Sequence, residues 1–239
     1  MKHIRKQGDP PSFSRWKAQA NDDWKPTYDQ LSGSVKNDLK KALQAEQGYI
    51  CCCCERRLTD SDSHIEHFRP QSDPSVDPLD YDNLLCSCQQ RVEKGKPCHC
   101  GVLKGRWFDV NLLVSPFDPG CEKRFAFLFN GEIKGADEKD KAASETIERL
   151  GLNIPKLKDL RAKAIEPFLD ESLSLEEIQA FVLGYLDQSP TGYLEEFWTT
   201  IFQHLSYKKQ CIYSYLPNNQ IKFFQLRSLL QLQKQYKYP

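Results

Sequence analysis

Eight of the chain's ten cysteines fall in the fifty residues from Cys51 to Cys100, and four are consecutive in the stretch CCCCERRLTDSDSHIEHFRP. A secreted chain of this length stapled by disulfides would scatter its cysteines behind a signal peptide. Here the opening MKHIRKQGDPPSF is basic, with no apolar run after it. Clustered thiols without such a leader point to a reducing, cytoplasmic setting and to metal binding. Zinc takes four ligands at tetrahedral corners, commonly as two close pairs from separate segments. Cys51 and Cys54 form a C-x-x-C pair, leaving Cys52 and Cys53 inside the turn with a weaker claim. The second pair comes from Cys86, Cys88, Cys98 and Cys100, and one cysteine from each C-x-C is the better chelate. Buried free thiols and an iron–sulfur cluster are the competing readings.

The 239 residues carry 33 basic and 33 acidic side chains. Nucleic-acid binding would therefore have to come from local patches rather than from bulk charge. Mean hydropathy is −0.63, and no apolar run is long enough to cross a bilayer. Three regions are expected: an irregular and helical segment over 1–48, a Cys/His/Asp-dense module over 49–120, and a hairpin followed by mainly helical chain over 121–239.

The first region is irregular to about residue 30, with Pro10, Pro11 and Pro26 among Trp16, Trp24 and Tyr28. A helix then runs from Ser34 to Gln47, with Gly48 as its stop. FAFLFNGEI reads as a hairpin turning at Asn130-Gly131. Helices are expected over 138–151, 155–169, 175–187 (behind a capping box at Ser174 to Glu177) and 192–209. The tail 207–239 holds Lys208, Lys209, Lys222, Arg227, Lys234 and Lys237 and no acidic residue. It suits base stacking with phosphate contacts or partner docking, or else an amphipathic helix burying Leu226, Leu229, Leu230 and Leu232.

The second half of the opening stretch concentrates polar chemistry. On a strand, His64 and Glu66 share a face while His67 points the other way. With His99, three of the five histidines lie in the cysteine-rich zone. Phosphodiester hydrolysis needs a base for water and a cation to absorb charge on phosphate, which a histidine beside a metal-binding carboxylate supplies.

Taken in order, H-I-E-H-F-R-P at 64–70, D-N-L-L at 82–85 and C-G-V-L-K-G at 100–105 resemble the ββα-metal (HNH) endonuclease motif in its cysteine-flanked form. The blocks MKHIRKQGDPP, EQGYICCCCERR, IEHFRP and CHCGVLKG are similar, more narrowly, to PtuB-type HNH proteins of Septu and retron-associated anti-phage systems. The resemblance covers roughly residues 1–165 and not the tail. It implies an α+β fold with a zinc-stapled ββα module embedded between helical segments. It also implies His67 as general base, Glu66 as ligand of a catalytic divalent cation (Mg²⁺ or similar), His64 in support, and Asn83 bracing the loop. Cys51, Cys54, Cys88 and Cys100 match the structural zinc set. Lys104 matches a basic residue near the motif's end that faces phosphate, against a solvated helix lysine; Arg69 is a further candidate for substrate contact.

The third HNH position departs from the pattern: Gly101 stands where Asn or His is expected, and His99, His64 or Asp118 would have to supply the missing ligand. Family resemblance further implies a nucleic-acid substrate, a P-loop ATPase partner (PtuA-type) and, in retron settings, a reverse transcriptase with its RNA–DNA hybrid. Two functions follow: a metal-dependent endonuclease acting as the toxic effector of a defence system on DNA or RNA, including tRNA, or a non-catalytic zinc-stabilised module bridging partners.

Overall fold

The computed structural model describes residues 1–92, 94–170, 173–186 and 191–214. Its elements in chain order are α1 (Pro11–Lys17), α2 (Gly33–Glu46), β1 (Ser63–His67), β2 (Leu84–Cys88), α3 (Cys100–Lys104), β3 (Phe125–Phe127), β4 (Ile133–Gly135), α4 (Lys141–Arg149), α5 (Pro155–Ile165), α6 (Leu175–Leu186) and α7 (Trp198–Ser214). Helices joined to two separate two-stranded antiparallel sheets make this an α+β chain, as expected.

The N-terminal prolines do not break structure; they start it. Pro11 occupies the first position of α1, where its missing N–H costs nothing and its fixed φ suits a helix. The two-turn helix buries Phe13 completely and stacks it on Trp16. The final expected helix also shifts, beginning at Trp198 rather than 192 and running to Ser214. The capping box is formed: Ser174 N donates to Glu177 Oε2 at 2.8 Å, and Glu177 N to Ser174 Oγ at 3.2 Å. Residues 215–239, with most of the basic tail, lie outside the described residues.

The hairpin forms over shorter strands than the aromatic run suggested, pairing Phe125 with Gly135, Ala126 with Lys134 and Phe127 with Ile133. Its turn closes through Gly131 N to Leu128 O at 2.9 Å, with Gly131 at φ +76°. A Cβ at Gly131 would lie 1.8 Å from the Lys158 carbonyl, so α5 leaves room only for glycine.

The principal core runs from α2 across the β1–β2 ribbon to α4 and α5, with Leu39, Leu43, Leu84, Ala143 and Leu157 fully buried. A two-stranded ribbon has unpaired edges, and here the side chain of Gln47 covers one. Its amide accepts from Cys86 N at 2.7 Å and donates to Cys86 O at 2.9 Å. A smaller core of Ile165, Phe168, Ile201 and Leu205 joins α5 to α7.

Arg161, 2% exposed, ties the second half together. It donates to Gly131 O and Leu152 O, each at 2.6 Å, and to Asn153 Oδ1 at 3.3 Å. Burial pushes its pKa down to about 10, leaving it charged at neutral pH. Arg161→Ala strands the two buried carbonyls and leaves a cavity, for an expected loss of about 3 kcal/mol or more, or about 10 °C in Tm. Thermal unfolding checks this.

Candidate metal centre and catalytic site

The four-cysteine stretch is a tight turn. Cys51 N donates to Arg56 O at 2.8 Å and Glu55 N to Cys51 O at 3.0 Å, with Glu55 at φ +64°. Cys88 ends β2 and Cys100 opens α3, so turn, strand and helix each deliver sulfur to one point. The Sγ atoms of Cys51, Cys54, Cys88 and Cys100 all lie within 4.8 Å of one another, and all four residues are buried.

The fit to zinc can be tested on distance. Tetrahedral thiolates at 2.3 Å from zinc stand ~3.8 Å apart, and Cys54 and Cys88 Sγ are 3.7 Å apart. The surroundings suit thiolates too. Cys88 N points at Cys51 Sγ at 3.4 Å, and His99 Nδ1 lies 3.0 Å from Cys100 Sγ. Cys86 and Cys98 are outside this set. Cys52 and Cys53 sit 3.5 Å apart and with Cys51 form a second, three-sulfur group. The four-sulfur group is the better zinc site, having the number of ligands that structural zinc takes. All eight cysteines between Cys51 and Cys100, and Cys121, are free of disulfides.

β1 pairs antiparallel with β2, His64 opposite Ser87, Glu66 opposite Leu85 and His67 opposite Leu84. Burial alternates along β1, with Ser63, Ile65 and His67 buried and His64 and Glu66 partly so. His64 and Glu66 therefore share the face that meets α3, and their side chains converge with His64 Nε2 3.4 Å from Glu66 Oε2. Burial alone would raise the Glu66 pKa, but hydrogen bonding to His64 and the Lys104 ammonium hold it below the ordinary value, so the carboxylate is ionised.

Lys104 is neither solvated nor turned outward. Its side chain is 4% exposed, and the ammonium donates to Glu66 Oε1 at 2.7 Å and to His67 O at 2.9 Å. Sequence spacing could not show this: the residue is four positions past Cys100, and its partner lies 38 residues back on another element.

His67 is 6% exposed and closes the strand. Its Nε2 lies 3.0 Å from Pro78 O. A carbonyl can only accept, so Nε2 carries the proton and Nδ1 keeps a lone pair in the neutral ring. Burial holds the His67 pKa below its usual value, which keeps the ring neutral at pH 7. Gln71 Nε2 stands 3.5 Å from Nδ1, and the Tyr28 ring meets the imidazole edge-on at 4.5 Å. Neither Gln71 nor Pro78 was singled out in the sequence, since each reaches His67 only because the 68–80 loop folds back.

Asn83 shapes that loop. Its Oδ1 accepts from Arg69 N at 2.8 Å and its Nδ2 donates to Arg69 O at 2.9 Å, while Phe68 N donates to Asn83 O at 2.9 Å. Arg69 is 39% exposed at its side chain, lies over the Phe108 ring and donates to Asp73 at 3.1 Å.

The three candidates for the missing ligand fall in different places. Asp118 is exposed and closes its own turn by accepting from Gly120 N at 2.8 Å. His99 is fully buried against the sulfurs. His64 alone among them touches Glu66. The void beside Glu66, lined in part by Cys52, Cys53, Phe68 and Lys104, holds about 20 Å³. That is room for one water and for no small-molecule substrate.

No protein-family model matches the chain. A curated protein of Vibrio cholerae serotype O1 biovar El Tor, described as "Retron Vc95 putative HNH endonuclease", is 32% identical over 139 residues. The match takes in 55% of this chain and 65% of that protein, a little under two thirds of its length. It bears out the recognition made from the sequence blocks: this chain resembles a retron-associated HNH endonuclease.

Proposed function

We propose that the chain is a metal-dependent HNH endonuclease that hydrolyses phosphodiester bonds of DNA or RNA, tRNA included, as the toxic effector of a retron- or Septu-type anti-phage system. One observation carries the reading: His67 is neutral, held by Pro78 through Nε2, and left with a basic Nδ1 at the end of the strand that also bears Glu66. A proton acceptor beside an ionised carboxylate is what water activation at a phosphodiester requires.

In this mechanism His67 Nδ1 takes the proton of the attacking water. The Pro78 carbonyl fixes the tautomer and steadies the imidazolium that results. Asn83 clamps the Arg69 main chain and so sets the course of the loop leaving His67. Arg69, partly exposed on that loop and bonded to Asp73, would exchange that partner for a phosphate oxygen. Glu66 and His64 would hold the divalent cation, which when bound supplies positive charge to the developing phosphorane. Lys104 keeps Glu66 ionised and oriented from beneath. The four cysteines would hold a structural zinc that locks β2 to α3, fixing Gly101 and Lys104 against Glu66.

The cytoplasmic setting inferred from the unpaired thiols suits such an effector. Because a toxic nuclease needs restraint, a P-loop ATPase and, in retron settings, a reverse transcriptase with its RNA–DNA hybrid are the proposed partners. A second reading, a zinc-stapled module that bridges partners without cutting, is favoured by Gly101, which has no side chain to ligate a cation.

Asn83→Ala separates the two. It removes two buried hydrogen bonds, costs about 1–3 kcal/mol, and under the nuclease reading lowers turnover while zinc content stays whole. The direct test offers purified, zinc-loaded protein duplex DNA, single-stranded DNA and RNA with Mn²⁺. Strand scission of any one supports the nuclease; tight binding without scission supports the bridging module.

A further inference from the structure

The side chain missing at position 101 has its space filled from β1. A Cβ built on Gly101 would lie 2.3 Å from Glu66 Oε2, 2.7 Å from Glu66 Cδ and 3.1 Å from His64 Nε2. Gly101 is not glycine for the sake of its backbone, because it lies inside α3 and is absent from the residues with positive φ. Its N–H is bonded to Ser87 Oγ at 3.2 Å, on the residue paired with His64 across the ribbon. Helix α3 thus approaches β1 so closely that the Glu66 carboxylate and the His64 imidazole stand where a side chain at 101 would project.

We infer that His64 replaces the absent third ligand, so that His64 Nε2 and Glu66 Oε2 form a two-ligand divalent-cation site directly over Gly101. The separation suits it: neighbouring ligands about 2.0–2.1 Å from one ion stand ~2.8–3.4 Å apart, from octahedral to tetrahedral angles, and these two atoms are 3.4 Å apart, at the wide end of that range. The carboxylate is divided between two tasks, Oε1 receiving Lys104 and Oε2 facing His64. Without the ion, His64 Nε2 donates to Glu66 Oε2; a cation between the two atoms would take that proton's place, leaving the ring's proton on Nδ1, a buried atom that no described residue bonds.

The donor set also selects the ion. One imidazole nitrogen with one carboxylate oxygen favours Mn²⁺, Co²⁺, Ni²⁺ or Zn²⁺ over Mg²⁺, which prefers an all-oxygen shell. Two protein ligands beside a lysine ammonium make a weak site, and phosphate and water oxygens would complete the shell.

The inference concerns the same site as the proposed nuclease but rests on it only for the purpose of the cation. Its test is therefore binding. Protein with zinc in the cysteine site is titrated with Mn²⁺ and followed by electron paramagnetic resonance. The expected result is one Mn²⁺ per chain, with at least about tenfold weaker binding in His64→Ala, the scale on which even outer-sphere partners count. Gly101→Ala should weaken binding similarly, since the new methyl displaces the Glu66 carboxylate while the fold and zinc content persist. Gly101→Asn separates the ideas most sharply. If position 101 is simply a lost ligand, asparagine restores affinity; if Glu66 and His64 occupy its place, asparagine lowers it. Unchanged Mn²⁺ affinity in His64→Ala, tighter binding in Gly101→Asn, or no Mn²⁺ bound by the unaltered chain would each overturn the inference. His64-dependent Mn²⁺ binding in a protein that cuts no nucleic acid would instead uphold it and sink the nuclease reading.

Discussion

Cys54→Ser is expected to abolish soluble expression, or to yield protein without zinc and without a cooperative unfolding transition. The four sulfurs that converge here come from a turn, a strand end and a helix start, and the two strands between them are only five residues each. Structural zinc supplies an apparent ~10–16 kcal/mol at neutral pH, whereas whole domains are stable by about 5–15 kcal/mol. Losing the ion therefore removes more than the fold has to spare. The matched control is Cys52→Ser. Cys52 is buried but outside the four-sulfur group, so a hydroxyl there costs about 1–3 kcal/mol and leaves about one zinc per chain. Elemental analysis of the two purified variants checks both. Iron in place of zinc, or equal zinc loss in both, contradicts the assignment.

The second large effect is catalytic. His67→Ala is expected to lower strand scission about 10²–10⁴-fold, the usual cost of losing a general base, with zinc content retained. It opens a hole against Tyr28 and frees the Pro78 carbonyl, so some stability is lost as well. His67→Gln separates the two costs: its amide can still donate to Pro78 O but accepts no proton from water. If the base assignment holds, the glutamine variant recovers thermal stability and remains inactive. If His67 only buttresses the loop, glutamine restores much of the activity.

How far the sequence spoke depended on the range of the interaction. The strand bearing His64 and Glu66 on one face was legible because alternation is local, and the helix over 33–46 because its apolar period and its glycine stop are local. The C-x-x-C spacing pointed to one half of the metal centre. Spacing left the other half open between two C-x-C pairs, and only the family resemblance named Cys88 and Cys100, because the register of β2 and the entry angle of α3 decide which sulfur turns inward. Helix α1 falls in the stretch expected to be irregular, because Pro at a helix's first position and Pro in a loop look alike in sequence. Long-range partners were beyond reach. Nothing near Lys104 announces Glu66, nothing near His67 announces Pro78, and the meaning of Gly101 appears only when β1 is seen lying against it.

The most direct test of the central claim maps nucleic-acid ends in cells. Cells expressing this chain with the proposed ATPase and reverse-transcriptase partners, once the system is triggered, are compared with cells carrying His67→Ala, and DNA and RNA termini are sequenced from both. The account predicts that one class of nucleic acid acquires new ends with the unaltered chain and that these ends vanish with His67→Ala. Protection that persists in the variant, with no new ends in either culture, would contradict it.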